Sequence, residues 1–329
     1  MRYDMLTEAT MRGRTSWAAV ILTLTACNSG GGEGKSIFTA GKAVTTATDA
    51  AAQTAQSHQD CIAAQPFYWE IGDAKGALAS GQAGGEDYTA DSSMLIASAS
   101  KWLFGAYVLE RYQGALTPVT ADALRMHSGY IGFKNLRCRS SDTVNECFIA
   151  SQTTLATDEI GKFHYDGGHF QKWMVDNGLG AMTDADLTAE YERYLGSDLG
   201  LLFSTPSPAG GMRGTPKAYA AFLRKLMNGN LVLGAHLGEN AVCTRPGVCP
   251  NAVYSPAPAD WHYSYGHWVE DDDKGDGAFS SPGLFGFYPW ISADKKHYGL
   301  VARMSTSLGA YVASAYCGQA IRKAYFSVH

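Results

Sequence analysis

The sequence predicts an α+β protein: one antiparallel sheet, flanked by helices and assembled from both ends of the chain, with a helical domain inserted between its parts. Three observations carry this. Runs that read as strands, "FYWEIGD" and "GALASGQAG" early and "LFGFYPWIS" and "HYGLVARMS" late, stand near the two ends of the folded region. Between them helical spacing and loops predominate. The 329 residues are 46% hydrophobic and 12% aromatic with 37 glycines, a composition that buries a sizeable core and suits an enzyme with a cleft better than a helical bundle.

In chain order, "MRGRTSWAAVILTLTAC" has a basic start, a short apolar run and small residues before Cys27, the pattern of an export signal over residues 1–26. The apolar run of about ten residues is half of the roughly twenty that a spanning helix needs. Leu24-Thr25-Ala26-Cys27 resembles the bacterial lipobox, which implies cleavage before Cys27, a lipid on that cysteine and Met11 as the true start. Residues 27–45 are small and polar and read as a flexible tether. The Gly-Lys-Ser inside it is no phosphate loop, because Ser29 stands where the first glycine is required.

The alanine-rich stretch 46–64 reads as a first helix, followed by the two early strands with a turn at Ala74-Lys75. Trp102, Leu103, Ala106, Tyr107 and Leu109 then follow helical spacing from Lys101 to Gly114, with Ser98 or Ser100 as the expected cap. In "TPKAYAAFLRKLMNG" Pro216 opens a helix and Gly229 lies near its end. "WHYSYGHWVE" is a strand candidate, "DDDKGDG" an acidic turn, and "LGAYVASAYCGQAIRKAYF" a closing helix. One domain over 46–329 results, with 46–95 and about 255–329 forming the sheet part and about 96–254 the mainly helical part.

A net charge of -5 with scattered lysines and arginines offers no basic stripe, so nucleic acid is excluded as a partner. The acidic turn is no EF-hand, since Asp276 and Pro282 occupy the positions that need Gly and Glu. Neither H-E-x-x-H nor C-x-x-C occurs, and no metal is expected. Export places six cysteines besides Cys27 in an oxidising compartment. Six cysteines admit fifteen pairings; the short loops suggest Cys138–Cys147 and Cys243–Cys249, which leaves Cys61–Cys317 to join the two ends of the domain.

The chemistry concentrates at "IASASKWLF". Serine is a weak nucleophile until a base removes its proton, and on a helix a lysine three residues later shares the serine's face. At a helix N-terminus the serine's own N–H also points toward a ligand, supplying half of an oxyanion hole. Ser98-x-x-Lys101 is one of two such matches; the other, Ser292 to Lys295, lies in a turn with no helix behind it. No G-x-S-x-G occurs, which argues against an α/β-hydrolase route to the same acyl transfer.

Ser98-x-x-Lys101, "FHYDGG" at 163–168, "PAGGMRGTPKAYAAFLRKLMNG", "YSYGHW" and "FSSPGLFG" at 279–286 stand in an order that resembles the serine β-lactamase and penicillin-binding-protein-like superfamily. The resemblance covers about residues 46–326. It points to the branch of class C β-lactamases, D-alanyl-D-alanine peptidases, family VIII carboxylesterases and 6-aminohexanoate-dimer hydrolases. It implies an acyl-enzyme on Ser98, Lys101 and Tyr165 as proton-transfer groups with the base unassigned between them, and an oxyanion hole from the backbone of Ser98 and Leu284. Lys101 is expected to lower the Tyr165 pKa.

Two departures stand out. The Asn of Tyr-x-Asn falls on Gly167, and Lys-Thr-Gly or His-Thr-Gly falls on Ser281-Pro282-Gly283. Gly167, Ser281 and Gly283 are thus candidate substrate contacts. The lost cation speaks for a neutral ester or amide, small or oligomeric, over a β-lactam or D-alanyl substrate, with no cofactor. The alternatives are a β-lactamase or D-alanyl peptidase with a replacement cation, and an inactive binding protein on the same scaffold. His164 and His169 receive no role, and Trp102, Trp173, Trp261, Trp268 and Trp290 are divided between core and pocket.

Overall fold

The computed structural model describes residues 46–328; the export signal, the tether and Cys27 lie outside them. An eight-stranded sheet runs in the order Ala77–Ala83, Phe67–Asp73, His297–Ala302, Tyr288–Ile291, Ala278–Ser280, Trp268–Glu270, His262–Tyr263 and Val242–Cys243, antiparallel at every junction. Its centre joins the two ends of the domain: Trp69 lies opposite Val301 and Ile71 opposite Gly299. The edge strand Val242–Cys243 comes from the segment expected to be mainly helical.

Alternation along His297–Ala302 gives the sheet two covered faces. Tyr298 points to one side, where its hydroxyl accepts from Arg224 on the Pro216–Met227 helix. His297 and Val301 point to the other and pack against the closing helix Ala310–Phe326, at Phe326 and beside Gly318. The first helix is two: Ala47–Ser57 and Gln59–Ala64 meet at His58, whose extended backbone ends one while its ring accepts the Asp60 N–H of the next. "WHYSYGHWVE" is likewise a hairpin, because Gly266 at φ 80° turns the chain between His262–Tyr263 and Trp268–Glu270. Disulfides join Cys61 to Cys317, Cys138 to Cys147 and Cys243 to Cys249.

The helix Ser100–Tyr112 is buried along most of its length. It lies so close to the hairpin turn that a Cβ on Gly105 would stand 2.2 Å from the Tyr265 carbonyl oxygen, and one on Gly266 equally close to that of Lys101. These two glycines bring the start of the helix against the sheet. Among the described residues no helix is long and apolar enough to cross a membrane.

Candidate active site

Neither Ser98 nor Ser100 caps the helix. Ala97–Ala99 form a 3-10 turn leading directly into Ser100–Tyr112, the cap position belongs to Ala99, and Ser100 Oγ instead accepts the Met212 N–H at 3.3 Å. The reason is tertiary: the chain enters through a short pairing of Met94–Leu95 with Met212–Gly214, and the Tyr219 hydroxyl donates to the Ala99 carbonyl at 2.8 Å. Ala97 is held at φ 45°, a left-handed conformation that costs an alanine about 1–2 kcal/mol. The distortion coincides with the residue that precedes the candidate nucleophile.

Ser98 remains partly accessible and lines a cavity of about 450 Å3, while Lys101 is buried beside it. Lys101 Nζ lies 2.9 Å from Ser98 Oγ and donates to the Ala209 carbonyl at 2.7 Å. Burial lowers the lysine pKa to about 7, against a smaller upward pull from the Asp166 carboxylate. An amine near neutrality in hydrogen-bond reach of a hydroxyl is equipped to take its proton. The other serine and lysine part company: Ser292 binds Asp294 and the His297 backbone, and Lys295 donates to the Gly234 carbonyl.

Tyr165 enters the same cavity. Its ring lies between the Lys101 ammonium, 4.7 Å from the centroid, and Trp268, stacked at 5.3 Å. The expected lowering of its pKa is reversed: enclosure pushes the phenol well above its usual value, and interaction with Ser98 only partly opposes this. The ammonium sits over the ring face instead of beside the oxygen, and burial drives that ammonium toward neutrality. Tyr165 therefore stays a neutral phenol, able to donate a hydrogen bond, at pH 7.

Asp166 follows Tyr165 directly. Its carboxylate accepts the N–H groups of Gly132, Phe133 and Gly168 at 3.0, 3.1 and 2.7 Å, tying the loop around residue 133 to the Tyr165 segment. Only the bond to Gly168 is local to "YDGG"; the two that tie the loops together reach partners some thirty residues away. Ser281 Oγ donates to the Ser98 carbonyl at 3.1 Å. A Cβ on Gly283 would stand 2.2 Å from the Ile96 carbonyl oxygen, so this position requires glycine for close approach. Leu284 lines the cavity.

No protein-family model and no curated protein sequence matches the chain. Solved structures do match. A β-lactamase from Mycobacterium bovis superposes with a TM-score of 0.56 at 14% identity, over 80% of this chain and 96% of its own. EstCE1, a hydrolase with promiscuous acyltransferase activity, gives 0.63 at 14% identity, over 85% and 99%. A D-amino acid amidase from Ochrobactrum anthropi SV3, complexed with D-phenylalanine, gives 0.63 at 12% identity, over 86% and 100%. The fold is that of the serine β-lactamases and penicillin-binding proteins.

Within the β-lactamase fold the two departures acquire physical content. A Cβ on Gly167 would meet Phe133 at 2.7 Å and Ala209 at 3.0 Å, so the asparagine expected there has no room; Phe133 occupies its space. Gly167→Asn is expected to destabilise the protein by ~1–3 kcal/mol, as overpacking does, and Phe133→Ala in the same chain to restore much of the loss, measured as paired shifts in thermal midpoint. At the place of the lysine or histidine, the buried Ser281 brings only a hydroxyl, already engaged with Ser98.

Of the five tryptophans divided between core and pocket, Trp261 and Trp268 line the cavity, while Trp102, Trp173 and Trp290 are core. His169 is buried against Ser128 and the His164 backbone, and His164 binds Glu159; neither lines the cavity.

Proposed function

We propose that this protein is an exported serine hydrolase that cleaves a neutral ester or amide through an acyl-enzyme on Ser98. The observation that carries the reading is the 2.9 Å approach of a buried lysine, poised near neutrality, to a partly accessible serine that lines the cavity. Lys101 takes the Ser98 proton as Oγ bonds to the carbonyl carbon, giving a tetrahedral adduct whose oxygen is held by the N–H groups of Ser98 and Leu284. The bond to the leaving group then breaks, and that group takes up the proton held by the Lys101 ammonium, while the neutral Tyr165 hydroxyl donates a hydrogen bond to it. Water repeats the sequence on the acyl-enzyme, with Lys101 again as base, releasing the acid and restoring Ser98.

Without a cation at Ser281 the cavity has little to hold a substrate carboxylate, which favours neutral substrates over β-lactams and D-alanyl peptides. Three disulfides among the described residues suit an oxidising compartment, in keeping with export, and the lipid on Cys27 remains part of the proposal. The test is covalent. Mixed with 4-nitrophenyl acetate and quenched early, the protein is expected to gain the mass of one acetyl group, located on Ser98 by peptide mapping. Steady nitrophenol release with the label on another residue, or neither release nor label with any neutral ester or amide, overturns the reading.

A further inference from the structure

We propose that the substrate carries a long apolar chain that leaves the cavity across Leu136. This rests on the hydrolase reading and names the substrate class of the same site. The charged side chains lining the cavity are Lys101, which burial drives toward neutrality, and Asp166, whose carboxylate already accepts three backbone N–H groups. The remaining wall is dominated by apolar groups, among them Pro256, Pro258, Trp261 and Phe285.

That wall is preformed. Tyr311 donates to the Pro256 carbonyl at 3.0 Å and Tyr316 to that of Pro258 at 3.4 Å, fastening the segment 254–258 to the closing helix. An apolar chain entering here meets a surface that needs no ordering on binding.

The mouth extends the same chemistry into solvent. Leu136 is 98% exposed, Leu284 57% and Tyr254 50%, yet all three line this one cavity from separate segments of the chain. A single exposed leucine is ordinary on a protein surface. Convergence of three apolar side chains on one opening marks a place that a ligand covers. Leu136 is also held there: Cys138 beside it is bridged to Cys147, and Asp166 binds the backbone of Gly132 and Phe133 just before it. Burying a methylene is worth about 0.8 kcal/mol, or roughly fourfold in kcat/KM, for as long as the chain still gains contact.

The experiment measures kcat/KM for 4-nitrophenyl alkanoates from acetate to decanoate and, by proton release, for alkyl acetates of the same lengths, all kept monomeric. At least one series is expected to rise tenfold or more between two and six carbons. Leu136→Ser, at a side chain almost wholly in water, is expected to lower the value for the longest favoured substrate about three- to tenfold and to leave the two-carbon substrate unchanged. Turnover of the two-carbon substrates with kcat/KM that stays flat or falls with length in both series overturns this inference while leaving the hydrolase reading intact. So does a Leu136→Ser loss that is equal at every length. Absence of turnover throughout removes both.

Discussion

Ser98→Ala and Lys101→Met are both expected to remove esterase activity, but only the second is expected to make the protein more stable. Loss of the nucleophile should lower kcat by on the order of 10^4 to 10^6, and loss of the base by on the order of 10^2 to 10^4. The stability difference comes from what each side chain costs the folded state. Ser98 is partly exposed and carries no charge, whereas Lys101 must be buried as an ammonium or give up its proton.

The folded-state pKa of Lys101, about 7, lies below its ordinary value of 10.5. Between those values the unfolded chain binds the extra proton, so wild-type stability rises with pH across that window, by up to about 1.4 kcal/mol per pH unit. Below about pH 7 both states are protonated and the full burial penalty is present. Methionine avoids the penalty, although it leaves the Ala209 carbonyl without its donor, at about 1–3 kcal/mol. Lys101→Met should therefore melt several degrees above wild type at pH 6, with the gap closing as pH is raised toward 10. A variant that melts lower than wild type at pH 6, with a gap independent of pH, would show that Lys101 is not a strained buried amine.

The second large effect is in the pH profile. If neutral Lys101 is the base, kcat/KM for a neutral ester rises with pH through about 7 and then levels, because the amine is largely unprotonated above that point. Tyr165, held well above its ordinary pKa, contributes no titration near neutrality, so Tyr165→Phe should lower the plateau without moving the inflection. Asp166 acts on the inflection itself, since its carboxylate favours the ammonium form of Lys101. Asp166→Asn is thus expected to shift the acidic limb to lower pH, along with a stability loss from the weakened bonds to Gly132, Phe133 and Gly168. An inflection that stays in place in Asp166→Asn and moves in Tyr165→Phe would assign the proton transfer to the phenol.

Much of this molecule is legible from local pattern. Short apolar and aromatic runs such as "FYWEIGD" form strands that are buried on both faces of a covered sheet, and their placement at both ends matches the pairing of Phe67–Asp73 with His297–Ala302. Spacing alone brought Ser98 and Lys101 together, since three residues near a helix start bridge hydroxyl and amine whether that turn is 3-10 or α. The cap at Ser98, the Tyr165 pKa and the role of Asp166 differ from local expectation for one reason, that each depends on groups distant in sequence: Met212 and Tyr219 reshape the turn, Trp268 and Lys101 pack against the phenol ring, and Gly132 and Phe133 claim the carboxylate.

By itself, then, the sequence determined the layered architecture, because apolar and aromatic runs at both chain ends pair into one buried sheet, and it brought Ser98 within reach of Lys101, because three residues span about one helical turn. Only the tertiary structure decided how deeply Lys101 is buried, why Gly167 leaves no room for a larger side chain, and where the cavity opens. Those outcomes depend on desolvation and steric exclusion, which exist only once segments far apart in the chain enclose a common space.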